Sequence, residues 1–105
     1  MKLSWHIICS EKSISQIRDV FQGKTLEAAP YWKDSDCLEL YCSCDFDLEE
    51  SQLTALCRKI SGIGRVQIDR QRTGTEYACY ATLEEIRNGD KAFVVCFVNI
   101  KENEL

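Results

Sequence analysis

The sequence predicts an α/β (α+β) fold: a two-layer sandwich in which a mixed five-stranded sheet carries two main helices. Three observations predict it. Stretches of strict two-residue apolar alternation take turns with stretches of helical spacing, the mark of a sheet covered by helices. The helical stretches have capping patterns in front and glycines behind. The length of 105 residues, with 45% hydrophobic side chains and no linker rich in Pro, Gly or Ser, suits a single domain over residues 1–105 with its own core.

Leu3, Trp5, Ile7 and Cys9 alternate with Ser4, His6 and Ile8, giving a first strand. Ser10 and Ser13 are candidate N-caps, and Ser13 with Gln16 has capping-box spacing; Ile14, Ile17, Val20 and Phe21 then recur as a helical stripe up to Gly23. Residues 24–36 show no period and hold the only proline, so they read as a long loop. In that loop Tyr31 and Trp32 are either a lid on the core or an exposed contact pair. A second strand from Cys37 to Phe46 puts Leu38, Leu40, Cys42, Cys44 and Phe46 on one face and Cys37, Glu39, Tyr41, Ser43 and Asp45 on the other.

Asp47, with Glu50 three residues on, is the expected N-cap of a second helix, whose buried stripe is Leu53, Leu56, Cys57 and Ile60 and whose stop is Gly62. Val66 and Ile68 alternate with Arg65, Gln67 and Asp69 in a third strand running to about Arg72. Thr73-Gly74 turns it into a fourth at Tyr77 to Ala81. Thr82 and Glu85 cap a short helical turn through Ile86, ended by Asn88-Gly89. Ala92 to Ile100 is apolar on both faces and belongs in the middle of the sheet. The order is β-α-β-α-β-β-β with a short helical turn before the last strand, and residues 101–105 read as a frayed polar tail.

Thirteen basic against seventeen acidic residues give a net charge of -4, which disfavours bulk affinity for nucleic acid or anionic lipid and favours a basic partner. The charge is concentrated: Asp34, Asp36, Glu39, Asp45, Asp47, Glu49 and Glu50 fall in a stretch where no Lys or Arg occurs before Arg58. On the second strand Glu39 and Asp45 share their face with Tyr41, and Asp47, Glu49 and Glu50 adjoin its end. A tyrosine ringed by carboxylates suits a basic protein, since complementary charge speeds association and an aromatic anchors the interface. Glu39, Tyr41, Asp45, Asp47, Glu49 and Glu50, with Tyr31 and Trp32, are the candidate partner-binding residues. A counter-patch, Arg58, Lys59, Arg65, Arg70 and Arg72 with Tyr77 and Tyr80 nearby, divides between a helix end and both faces of a strand. It lacks the stacking sheet of RNA-recognition domains, so no nucleic-acid partner is expected, although either patch could serve as a binding surface.

Seven cysteines make an odd count with no framework spacing and no Cys-x-x-Cys. The N-terminal apolar run is too short for a signal segment, and nothing approaches the ~20 apolar residues of a membrane span. The expectation is a cytoplasmic chain with free thiols and no membrane partner. His6, Cys9, Cys42 and Cys44 are the residues a zinc site would use, but His6 and Cys9 point to opposite faces of one strand and Cys42 and Cys44 lie in an apolar row. His6 is the only histidine and has no evident nucleophile beside it. The reading is therefore not an enzyme, with no metal and no cofactor.

A small, acidic, one-domain α/β chain with a concentrated acidic surface and no assembled catalytic motif resembles, in overall character, the immunity proteins that neutralise bacterial toxins, including those of contact-dependent growth inhibition systems. The resemblance implies a tight one-to-one complex with a basic toxin domain, a nuclease being the natural case, whose active site or substrate path the acidic surface covers. Two other readings stand beside it. One is a small-ligand regulatory domain of ferredoxin-like type with the Gly62-Ile63-Gly64 loop lining a pocket. The other is a metal-binding or thiol-active protein.

Overall fold

The computed structural model describes residues 2–99. The chain runs β1 (Lys2–Ser10), a 3-10 turn (Glu11–Ser13), α1 (Ile14–Val20), β2 (Glu27–Tyr31), β3 (Asp34–Asp45), α2 (Glu50–Ser61), β4 (Gln67–Gln71), β5 (Gly74–Cys79), α3 (Leu83–Arg87) and β6 (Phe93–Asn99). The strands form one six-stranded sheet in the order β2-β3-β1-β6-β5-β4, and every neighbouring pair is antiparallel. The α+β class stands, but the sheet has six strands rather than five and is antiparallel rather than mixed. Each crossover explains the second difference. Helix α1 carries the chain from β1 past its neighbour to the edge, and the β2–β3 hairpin then fills the gap with β3; α2 carries it from β3 to the opposite edge, from which the β4–β5 hairpin returns inward. Strands of like direction never become neighbours.

The additional strand lies within residues 24–36. β2 is exposed along four of its five residues, so no apolar alternation marks it, and an edge is where a strand tolerates a proline such as Pro30. β3 accordingly begins at Asp34, three residues before Cys37, and pairs with β2 on one side and β1 on the other. The cap of α2 is Glu49 and not Asp47: the Glu49 backbone N–H donates to Gln52 Oε1 at 2.9 Å. Gly62 ends that helix in the left-handed region at φ 71°, a conformation that favours glycine. Ser10 Oγ accepts from the Lys12 N–H at 3.2 Å, whereas Ser13 makes no cap bond and donates instead to the Gly89 carbonyl at 3.3 Å. Thr82 and Glu85 form the expected capping box of α3. Ile100 and residues 101–105, to which the last strand's end and the tail were assigned, lie outside the described residues.

Helices α1 and α2 cover one face of the sheet. Ile17 of α1, Phe21 at its C-cap, and Leu53, Cys57 and Ile60 from α2 pack on Leu3, Trp5, Ile7, Leu40, Val94 and Cys96. Trp5 is the largest fully enclosed side chain, with Phe21 and Phe46 edge-on at 5.3 and 6.4 Å. The opposite face is covered at one end only, where Ile86 of α3 packs on Ile8 and Cys37, so a third layer exists there that a two-layer reading omits. β6 lies between β1 and β5, as its two apolar faces predict: Val94 and Cys96 are buried on the helix side, and Phe93, Val95 and Phe97 are half-buried on the other.

Candidate functional site

Register creates the site. Pairing of β1 with β3 sets His6 opposite Tyr41 and Ile8 opposite Glu39, and pairing of β1 with β6 sets Ile8 opposite Phe93. All five side chains therefore project from the sheet face away from α1 and α2. The Tyr41 ring lies flat on His6, with centroids 4.6 Å apart and planes within 4°. His6 Nε2–H and the Tyr41 hydroxyl both donate to Glu39 Oε2, each at 2.8 Å. Phe93 meets His6 edge-on at 5.7 Å, and Tyr80 leans on Phe93 at 5.8 Å. The Tyr41 hydroxyl bond, and behind it the His6 bond, holds the Glu39 carboxyl below its ordinary value; the same bond to Glu39 raises Tyr41.

Beside this cluster opens a cleft of about 440 Å³. Its floor includes His6, Glu39 and Phe93, one wall is Leu83 and Ile86 of α3, and the other is Tyr31, Trp32 and Lys33 at the β2–β3 turn. Trp32 is 79% exposed. It meets Tyr31 at 6.1 Å, and Lys33 Nζ stands 5.0 Å over its ring. The fold thus brings Tyr31, Trp32, Glu39 and Tyr41 together, and makes of the supposed long loop a hairpin that presents its two aromatics.

The rest of the acidic run disperses. Asp45 is exposed at the far end of β3 on the same face as Tyr41, and Asp47 and Glu49 are exposed between β3 and α2. Glu50 turns to the helix side: Arg70 binds both its oxygens at 2.9 and 3.0 Å, and the Tyr77 hydroxyl, reaching out of the main core, donates at 2.7 Å. Its carboxyl is held low by Arg70 first and Tyr77 second. Glu50 thereby leaves the acidic surface and ties down part of the counter-patch. Arg87 similarly donates to Asp34 at 2.6 Å. His6, Lys33, Tyr80 and Phe93 are the residues of the site that the sequence reading did not assign. The alternation already put His6 on the face opposite Trp5, but only the β1–β3 register sets it against Glu39.

Cysteine chemistry lies elsewhere. Cys9, Cys37, Cys42, Cys57, Cys79 and Cys96 are buried, Cys44 is half-buried, and all seven are free thiols. Burial pushes Cys9 up to about 11 and Cys57 and Cys44 to about 12, which suppresses the thiolate that reactivity needs. Cys37, which alternation places on the same face as Glu39 and Tyr41, is fully enclosed beneath α3. Among the described residues no three or more His, Cys, Asp or Glu side chains converge as metal ligands. None of the described helices is long and apolar enough to cross a membrane.

Fold and site together define a small antiparallel α+β domain with one sheet face packed and the other half open around an aromatic, carboxylate-floored cleft. Comparison with protein-family models, with curated proteins and with solved structures finds no match to this chain.

Proposed function

We propose that this is a cytoplasmic binding protein of immunity type, which neutralises a basic toxin domain, a nuclease in the simplest case, by forming a protein-protein complex through the open face of its sheet. The observation that carries this reading is the composition of that face. Trp32, Tyr41 and Tyr80 are 79%, 47% and 55% exposed, beside half-buried Phe93, Val95 and Phe97 and the carboxylates of Glu39 and Asp45. Exposed aromatics on a rigid sheet bind with little ordering cost, and carboxylates at their margin select a basic partner. Such a protein acts by covering a surface, so it needs no catalytic group, metal or cofactor of its own. Asp47 and Glu49, displaced towards α2, contribute charge at the rim, and Glu50 contributes stability rather than contact.

The test is stopped-flow association, over a range of salt concentrations, with a basic nuclease-toxin domain, chosen by whether a neighbouring gene encodes one. The Glu39→Lys, Asp45→Lys double variant is expected to associate more slowly and with a shallower salt dependence. Absence of a complex with the wild-type chain, or an unchanged rate in the variant, overturns the reading. One observation favours a second, small-ligand reading: Gly62 does line a groove of about 340 Å³ between α1 and the end of α2, with Gln16, Lys59 and Lys91. A thermal shift with amino acids or nucleotides supports that alternative.

A further inference from the structure

We infer that the cleft between the β2–β3 turn and α3 receives one arginine side chain of the protein partner. The inference deepens the reading above and rests on it for the identity of the occupant as a protein group. Three features of the cleft point to a guanidinium. One wall, Tyr31 and Trp32, is aromatic, and Phe93 lies in the floor. A flat, weakly hydrated cation stacks on such rings at little desolvation cost. The only carboxylate among the lining residues is Glu39, and its geometry is already set. Oε2 takes both donors, His6 and Tyr41, while Oε1 takes none among the described residues, and the side chain is only 18% exposed. The acceptor is therefore ionised, oriented and partly shielded from water before anything binds, which is the condition under which a charge-assisted hydrogen bond contributes most.

The third feature is a cation that the chain itself supplies. Lys33 Nζ sits over the Trp32 ring and makes no ion pair among the described residues. The face of Trp32 thus already draws a cation from its own turn, in the position where a partner's guanidinium would stack. Lys33 is a flexible, strongly hydrated group that an incoming arginine can displace. A volume of about 440 Å³ lies within the ~300–1,000 Å³ of sites that enclose small groups. Lysine is the poorer fit, because an ammonium neither stacks in a plane nor forks onto a carboxylate. An anion would have to approach Glu39.

The decisive experiment uses the chain alone, with N-acetyl-arginine amide as the probe, N-acetyl-lysine amide and inorganic phosphate as controls, and NMR shifts of the Trp32 indole and His6 ring as the readout. Arginine amide is expected to give a saturable shift with a Kd of roughly millimolar order. Glu39→Gln and Trp32→Ala should each weaken it by roughly fivefold or more. Lys33→Ala should tighten it by roughly two- to threefold, since a competing cation is gone. No saturable shift with arginine amide overturns the inference, as does equal binding of lysine amide. Phosphate binding that Lys33→Ala abolishes overturns it in favour of an anion site. Trp32 is largely exposed and Glu39→Gln keeps the side chain's shape, so a dispersed spectrum of each variant separates lost binding from lost fold. Because no partner is added, arginine binding without a toxin complex sinks the proposed function alone, whereas a toxin complex with no arginine binding sinks this inference alone.

Discussion

The two faces of the sheet are built from the same strands and differ in what covers them. On one face Leu3, Trp5, Ile7 and Cys9 of β1 are buried beneath α1 and α2; on the other Ser4 is exposed, His6 is half-buried, and only the end near α3, Ile8 and Ser10, is enclosed. Two helices give the first face a dry interior in which cysteine serves as a small apolar side chain. A single five-residue helix gives the second face a lid at one end only. The difference teaches that strand alternation in this chain separates a packed core from an open surface: the helix side holds the domain together, and the other side is left free to carry exposed aromatics and a carboxylate.

The largest effect that can test this division is at the centre of the packed face. Trp5→Ala is expected to cost about 3–5 kcal/mol, the range for emptying a large aromatic site, read as a drop in the urea midpoint with little change in slope. Trp5→Phe sharpens the point. It keeps a ring against Phe21 and Phe46 and removes the indole Nε1–H, the one buried side-chain polar atom without a hydrogen-bond partner among the described residues. Its midpoint should lie well above that of Trp5→Ala. Equal losses would mean that the edge-on ring contacts add nothing.

Next in size is Gly74→Ala, at the start of β5. A Cβ there would collide with the Val98 carbonyl oxygen and come 2.7 Å from the Phe97 ring. Relieving that overlap must move β6 backbone or lift Phe97 from the open face, at a cost of about 1–3 kcal/mol. A neutral result by thermal unfolding would show that β5 and β6 can separate there without loss.

The packed face was largely legible in the sequence, because burial on one side leaves a period-two or helical trace: the rows Leu3 to Cys9 and Leu38 to Cys44 and the stripe Leu53 to Ile60 were read as they stand. β2 was not legible, since an exposed edge strand has no buried side to leave a trace, and its loss hid both the hairpin at Trp32 and the antiparallel character of the sheet. The site was half legible. Glu39, Tyr41, Tyr31 and Trp32 carry recognisable chemistry, but proximity in sequence suggested Asp47 and Glu50 as their companions when register supplies His6 and Phe93. Glu50 was the instructive case: its place at the head of a helix gave no sign that Arg70, twenty residues on, would claim it.

A smaller effect arises from pH. The carboxyls of Asp34, Glu39, Glu50 and Glu85 are all held below their ordinary values of 3.8 for Asp and 4.5 for Glu, by Arg87, the Tyr41 hydroxyl, Arg70 and the Thr82 N–H respectively. Depressed folded values favour the ionised folded state, so this stability is fully present above the ordinary range and is lost as pH falls through it towards the depressed values. The urea midpoint should be flat above about pH 6 and decline below pH 5. Three of these groups, Asp34, Glu39 and Glu85, surround the open face and α3, while Glu50 belongs to the helix side. Asp34→Asn with Glu39→Gln should therefore remove more of the acid decline than Glu50→Gln. The reverse order would place the acid-sensitive part of the fold on the packed face.

The smallest effect expected is also the strictest condition on the comparison. If the open face is a recognition surface, its most exposed aromatics contribute little to the folded state, because truncating them removes few packed neighbours and leaves no cavity. Trp32→Ala and Tyr80→Ser are expected to shift the urea midpoint by no more than about 0.5 kcal/mol equivalent, roughly a tenth of the Trp5→Ala effect. Tyr80 is the more demanding of the two, since its ring leans on Phe93 and so on the cluster around His6. A midpoint for Tyr80→Ser that falls into the range of a core variant would show that the aromatic cluster helps hold β1, β6 and α3 together, and the open face would then be a second, thinner core. An unchanged midpoint combined with lost affinity for a basic partner would leave recognition as the role of that ring.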